Sequence, residues 1–114
     1  MESQVQMILE PFVERRMFSS TAEAARKLAS EYVTKHIQSQ QRKVARMERK
    51  YGKTFREFEE YLHQRSRKLQ SLSLKPNAKK RLGRAIMNEE EDWLEWKATC
   101  EALDRWMKLE RDLK

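Results

Sequence analysis

Residues 20–62, STAEAARKLASEYVTKHIQSQQRKVARMERKYGKTFREFEEYL, decide the fold class, because helix punctuation and apolar periodicity agree along the whole stretch. Ser20 followed by Glu23 has the spacing of a capping box, in which the hydroxyl accepts from a first-turn N–H and the carboxylate reaches back to the cap's own N–H. A helix is therefore expected to start at Thr21. Nothing breaks it before Gly52, the residue type that most readily takes the left-handed conformation closing a helix. At the usual rise such a helix is about 46 Å long. Its apolar positions Val33, Ile37, Val44, Met47 and Tyr51 recur at spacings of three and four, with Gln40 at the interrupted place. Ala25, Leu28, Ala29 and Tyr32 extend the stripe toward the helix start with mostly smaller side chains. Thr54 and Glu57 repeat the capping spacing just after Gly52, so the chain turns a tight corner into a second helix, expected over 54–71. Phe55, Phe58, Leu62, Leu69 and Leu72 form its stripe, with Arg65 in a seam position. The outcome is a long antiparallel helical hairpin.

Outward from the hairpin, a short helix over Ser3 to Val13 would place Val5, Ile8, Leu9 and Phe12 on one side, and Pro11 either bends it or leaves the segment extended. On the other side, SLSLKPN (71–77) reads as a break, and 72–87, with Gly83 and the cations Lys79, Lys80, Arg81 and Arg84, reads as a mobile basic connector. Asn88 with Glu91 is a third cap signal, reinforced by Glu89, Glu90 and Asp92 at the positive end of a helix dipole. The last helix is expected over 88–113, packed on the hairpin through Trp93, Trp96, Leu103 and Met107, with Cys100 and Trp106 on or beside the same stripe. The expected fold is thus all-α in a single helical domain over 1–114: an N-terminal segment 1–19, the hairpin 20–71, the connector 72–87 and a C-terminal helix 88–114.

Composition supports this class. Of 114 residues only two are Gly and two Pro, whereas 38% are charged. Sheet-rich folds would lack the turn residues their connections need. A single Cys excludes an internal disulfide framework, and no apolar run is long enough to span a bilayer. Met1 to Leu9 lacks the basic start and long apolar stretch of a signal peptide, so the expected compartment is the cytoplasm.

Charge is distributed unevenly. Residues 1–41 carry five basic and five acidic side chains, residues 42–84 fifteen and four, and residues 85–114 five and nine. Three readings stay open: a basic middle that binds a polyanion, an acidic tail that binds a basic partner, or a tail that neutralises the middle by folding onto it. For the first, the candidate nucleic-acid contacts are Arg42, Lys43, Arg46, Arg49, Lys50, Arg65, Lys79, Lys80, Arg81 and Arg84. For the second, the candidate partner contacts are Glu95, Glu101, Asp104 and Asp112. Catalytic chemistry is not visible. His36 and His63 have no spaced metal-ligand partners, Cys100 sits among apolar residues without activating cations, and Glu89 to Asp92 point around a helix instead of converging. Neither a phosphate loop nor a nucleophile motif occurs. No enzyme activity and no cofactor or metal are expected.

Three segments carry a resemblance. MFSSTAEAARKL (17–28) is similar to the turn and second helix of ribbon-helix-helix antitoxins. ERKYGKTFREFEEYL (48–62) and EEEDWLEWKATCEALDRW (89–106) resemble a family of small helical prokaryotic proteins associated with toxin–antitoxin loci. The resemblance implies an antitoxin-like protein whose partner is a cognate toxin, with DNA binding as a further role. A ribbon-helix-helix fold would need an N-terminal strand, for which Ser3 to Leu9 is the available segment. Self-association is expected on separate grounds. The return helix, about 27 Å long, is too short to cover a helix of about 46 Å, so a homodimer would supply the missing cover.

Overall fold

A computed structural model describes residues 3–70 and 75–114. It contains four α-helices and, among the described residues, no strand: α1 Gln4–Glu14, α2 Thr21–Tyr51, α3 Phe55–Leu69 and α4 Pro76–Asp112. The all-α fold and the hairpin's corner are as the capping signals predict. Ser3 to Leu9 therefore does not form a ribbon strand, and Leu72, with most of the expected break, lies outside the described residues.

α1 passes through Pro11 without interruption and is capped by reciprocal bonds between Ser3 and Gln6, at 3.2 and 3.1 Å. It ends in a Schellman turn. The N–H of Met17 donates to the Phe12 carbonyl and that of Arg16 to the Val13 carbonyl, both at 2.9 Å, which puts Arg16 at φ 61°. A side chain with a Cβ is strained in that region.

At the start of α2, Ser20 Oγ accepts from the Glu23 N–H at 3.1 Å, so the cap forms where the spacing places it. The Glu23 carboxylate turns to the Ser19 hydroxyl and lies 3.4 Å from Lys27. Gly52, at φ 61°, closes the helix through a 2.7 Å bond to the Glu48 carbonyl. The second box forms in full, with Thr54 Oγ1 accepting from the Glu57 N–H at 3.2 Å and Glu57 from the Thr54 N–H at 2.9 Å. The backbone bond first, and then the hydroxyl, hold the Glu57 carboxyl below its ordinary range.

α4 departs most from expectation. It begins at Pro76, twelve residues before the predicted start at 88, and runs unbroken through Gly83, so the basic connector is helix from Pro76 onward. Pro is pre-organised for a first helical position, where its missing N–H costs nothing. The inward side repeats in heptads: Leu82, Glu89, Trp96, Leu103 and Glu110 on one line, and Ala85, Asp92, Thr99, Trp106 and Leu113 on the next, are all buried or half-buried. Three seam positions hold carboxylates, and two of them, Glu89 and Asp92, break the apolar pattern at the point where the sequence predicts a helix start.

The chain divides into two compact units, 3–38 with 105–114, and 39–70 with 75–104. In the first, Leu9, Ala24, Val33 and Ile37 are buried, and Trp106 stacks on His36 with centroids 4.4 Å apart and meets Tyr32 edge-on. Two expectations fail here. Met107 is 44% exposed because Trp106 takes the inward position, and Tyr32 and Ala29 lie on the surface while Ala24 is fully buried. In the second unit Met47, Phe58, Leu62 and Trp96 form the core, with Tyr51, Phe55, Tyr61, Trp93 and Cys100 packed against it. The Phe58 and Trp96 rings, both fully buried, stack at 5.3 Å.

Candidate interaction surfaces

Two ion pairs join the helices of the second unit. Asp92 Oδ2 accepts from the Lys50 ammonium at 2.6 Å and from the Tyr51 hydroxyl. Burial disfavours the Asp92 carboxylate, but the two donors outweigh it and hold the group below the ordinary aspartate range. Tyr51 responds oppositely: burial, then the hydrogen bond and charge of Asp92, push its phenol well above the usual value. One turn away, Arg65 donates to Glu89 at 2.6 Å, and its guanidinium also covers the Tyr61 ring at 5.2 Å. That pair is monodentate. Arg65 Nε, Glu89 Oε2 and the indole N–H of Trp96 are buried with no partner among the described residues.

These pairs sort the predicted cations. Lys50 and Arg65 hold α4 in place, and Lys79 is half-buried on the side of Ile86. Arg42, Lys43, Arg46 and Arg49 on α2, and Lys80, Arg81 and Arg84 on α4, are exposed and form no ion pair among the described residues. Arg49 and Lys50 also lie in the last turn of α2, where a cation favours the helix dipole.

Glu95, Glu101, Asp104 and Asp112 are all exposed on α4; Glu101, Asp104 and Asp112 fall within about 80° of one another around the helix, and Glu95 lies apart from them. Residues 93–114 carry five acidic and five basic side chains, so the acidity of the tail resides in Glu89 to Asp92, and two of those four are paired inward. What the fold does bring together is a groove between α3 and α4, lined by Glu59, Leu62, His63, Ser66, Glu90, Trp93 and Leu94. Glu59 accepts from the Trp93 indole N–H at 3.2 Å, which fixes the ring along the groove. Leu94 is 60% exposed and Met87, two turns before it on the same face, 65%. The groove has about 440 Å³ of space, enough for a few side chains of a partner, with an apolar floor and carboxylates at its edges. Sequence reading missed it. Its available signal was Leu94 and Met87, apolar residues seven apart and off the core stripe.

Of the remaining candidates, Cys100 and His36 pack against neighbouring side chains. Cys100 is half-buried, and burial, followed by the charges of Glu48 and Glu101, pushes its thiol above the ordinary value, away from the reactive thiolate. His36 is stacked on Trp106, while His63 is exposed beside the groove. Among the described residues, no three His, Cys, Asp or Glu side chains gather as a metal site, and no helix is long and apolar enough to cross a membrane. No family model matches the chain, and neither a curated protein nor a solved structure is significantly similar to it.

Proposed function

We propose that this chain is an antitoxin-like interaction protein that binds and neutralises a co-encoded toxin, without catalysis of its own and in the cytoplasm. The observation that carries the proposal is the α3–α4 groove. Leu62, Trp93 and Leu94 offer apolar area to a partner side chain, and Glu59 and Glu90 offer charge to a basic one. A helix with alternating basic and apolar residues suits such a groove. The resemblance of 17–28, 48–62 and 89–106 to antitoxin-associated proteins supports the same reading. Co-expression tests it. The product of the adjacent gene should arrest growth alone and be harmless beside this chain; a product that is harmless alone, or equally harmful beside it, would end the assignment.

Self-association belongs to the same reading. On α1, Val5, Met7 and Ile8 are each at least 60% exposed, and Met17 just beyond the helix is 63% exposed. A helix apolar on nearly every side is ordinarily covered in an assembly. Light scattering at micromolar concentration should report a dimer, and a monomer of normal thermal stability would contradict it.

A further inference from the structure

We propose that α2 carries, on a face separate from the groove, a docking stripe for the phosphate backbone of double-stranded nucleic acid, made by Arg42, Arg46 and Arg49. At spacings of four and three these residues lie on one side of the helix, opposite Val44 and Met47, which face the interior. Each is exposed and without an ion-pair partner among the described residues. The carboxylates that could have neutralised the stripe are directed elsewhere: Asp92 holds Lys50, Glu89 holds Arg65, and α2 has no acidic residue between Glu31 and Glu48. The unit that contains the stripe has sixteen basic against eleven acidic residues, so its field favours an anionic ligand.

The form of the stripe selects the duplex. From Arg42 to Arg49 the helix rises about 10 Å, a length over which a duplex presents about six phosphates, one per about 1.7 Å of axis, and each strand only half as many. A single-strand site would add aromatic faces on which bases stack. Here the aromatics nearest in sequence, Tyr51, Phe55 and Phe58, are packed in the core. With guanidiniums reaching phosphates and nothing reaching base edges, binding should be strongly salt-dependent and almost indifferent to sequence.

Fluorescence anisotropy with the full chain, a labelled DNA duplex and the corresponding single strand, between about 50 and 200 mM salt, tests this. The duplex should bind more tightly than the single strand. In Arg42→Gln/Arg46→Gln/Arg49→Gln the slope of log K against log salt should flatten by about 2.7, at roughly 0.9 per lost phosphate contact. Arg105→Gln/Arg111→Gln/Lys114→Gln, which removes the same charge elsewhere, should keep the wild-type slope. Circular dichroism should show unchanged helix in both variants, since all six side chains are exposed. The proposal is overturned by absent duplex binding at the lowest salt, by a single strand that binds as well, or by equal flattening in the two variants.

Discussion

The two units solve the same problem, a thin core in a highly charged chain, in different ways. The second closes its interior with its own large side chains: Trp96 and Phe58 are fully buried, four further aromatics pack around the core, and two ion pairs hold α4 to α2 and α3. The first buries Leu9, Ala24, Val33 and Ile37 and leaves Val5, Met7, Ile8 and Met17 on the surface. Aromatic rings supply much buried area per residue, and in the first unit Phe12, Phe18 and Trp106 are only half-buried. The second unit closes its core and exposes Met87 and Leu94 along α4; the first exposes apolar surface over α1.

The largest effect expected from this contrast is at Trp96. Trp96→Ala should destabilise the protein by about 3–5 kcal/mol in urea denaturation. Trp96→Phe should cost far less, because it keeps an aromatic ring in the core and leaves a smaller cavity, while both variants remove an indole N–H buried without a partner, a liability of roughly 1–3 kcal/mol. Equal losses for the two would contradict the placement of that ring. Next comes the Arg65–Glu89 pair. Since Arg65 is partly exposed, Glu89→Ala should cost about 1–3 kcal/mol, less than for a fully buried pair. A double-mutant cycle with Arg65→Ala would measure the coupling.

In the first unit the expected changes are smaller, and one is of opposite sign. Arg16→Gly relieves a left-handed backbone and should raise thermal stability by roughly 0.5–1 kcal/mol, the saving in strain exceeding glycine's extra chain entropy. Ile8→Ser should leave the stability of the monomer within about 0.5 kcal/mol while weakening self-association. A larger loss would show that α1 is core. The acid response also distinguishes the units. Asp92 has a lowered carboxyl pKa in the folded chain, so its stabilisation is present above the unfolded value of about 3.9 and disappears as pH falls through the lower folded value. Melting temperature should therefore drop more steeply below pH ~4 in the wild type than in Asp92→Asn.

Local signals were sufficient for much of the fold. The Ser20 and Thr54 caps, Gly52 and the stripe from Val33 to Tyr51 are properties of neighbouring residues, and the structure reproduces them. The start of α4 was hidden because Glu89 and Asp92 occupy inward seam positions. In sequence they read as first-turn acids, and only the Arg65 and Lys50 side chains of other helices make their burial tolerable. The same non-local pairing decided which predicted cations are available. Composition identified the basic segment, but separating Arg42, Arg46 and Arg49 from Lys50 and Arg65 required knowing where α4 lies. The groove was equally hidden, since Glu59 and Glu90 are distant in sequence and meet only across α3 and α4. Trp106 and Met107 are adjacent and both apolar, so periodicity alone did not separate the inward residue from the outward one.

Partner binding through the groove is tested most directly by calorimetric titration of the purified chain with the adjacent gene's product, alongside Leu94→Arg and Ile8→Ser. Leu94→Arg places a cation in a groove edged by Glu59 and Glu90 and should weaken the complex by tenfold or more, about 1.4 kcal/mol. Ile8→Ser, on the other unit, should leave the affinity unchanged. Unaltered binding by Leu94→Arg, or a loss confined to Ile8→Ser, would contradict the groove as the partner site.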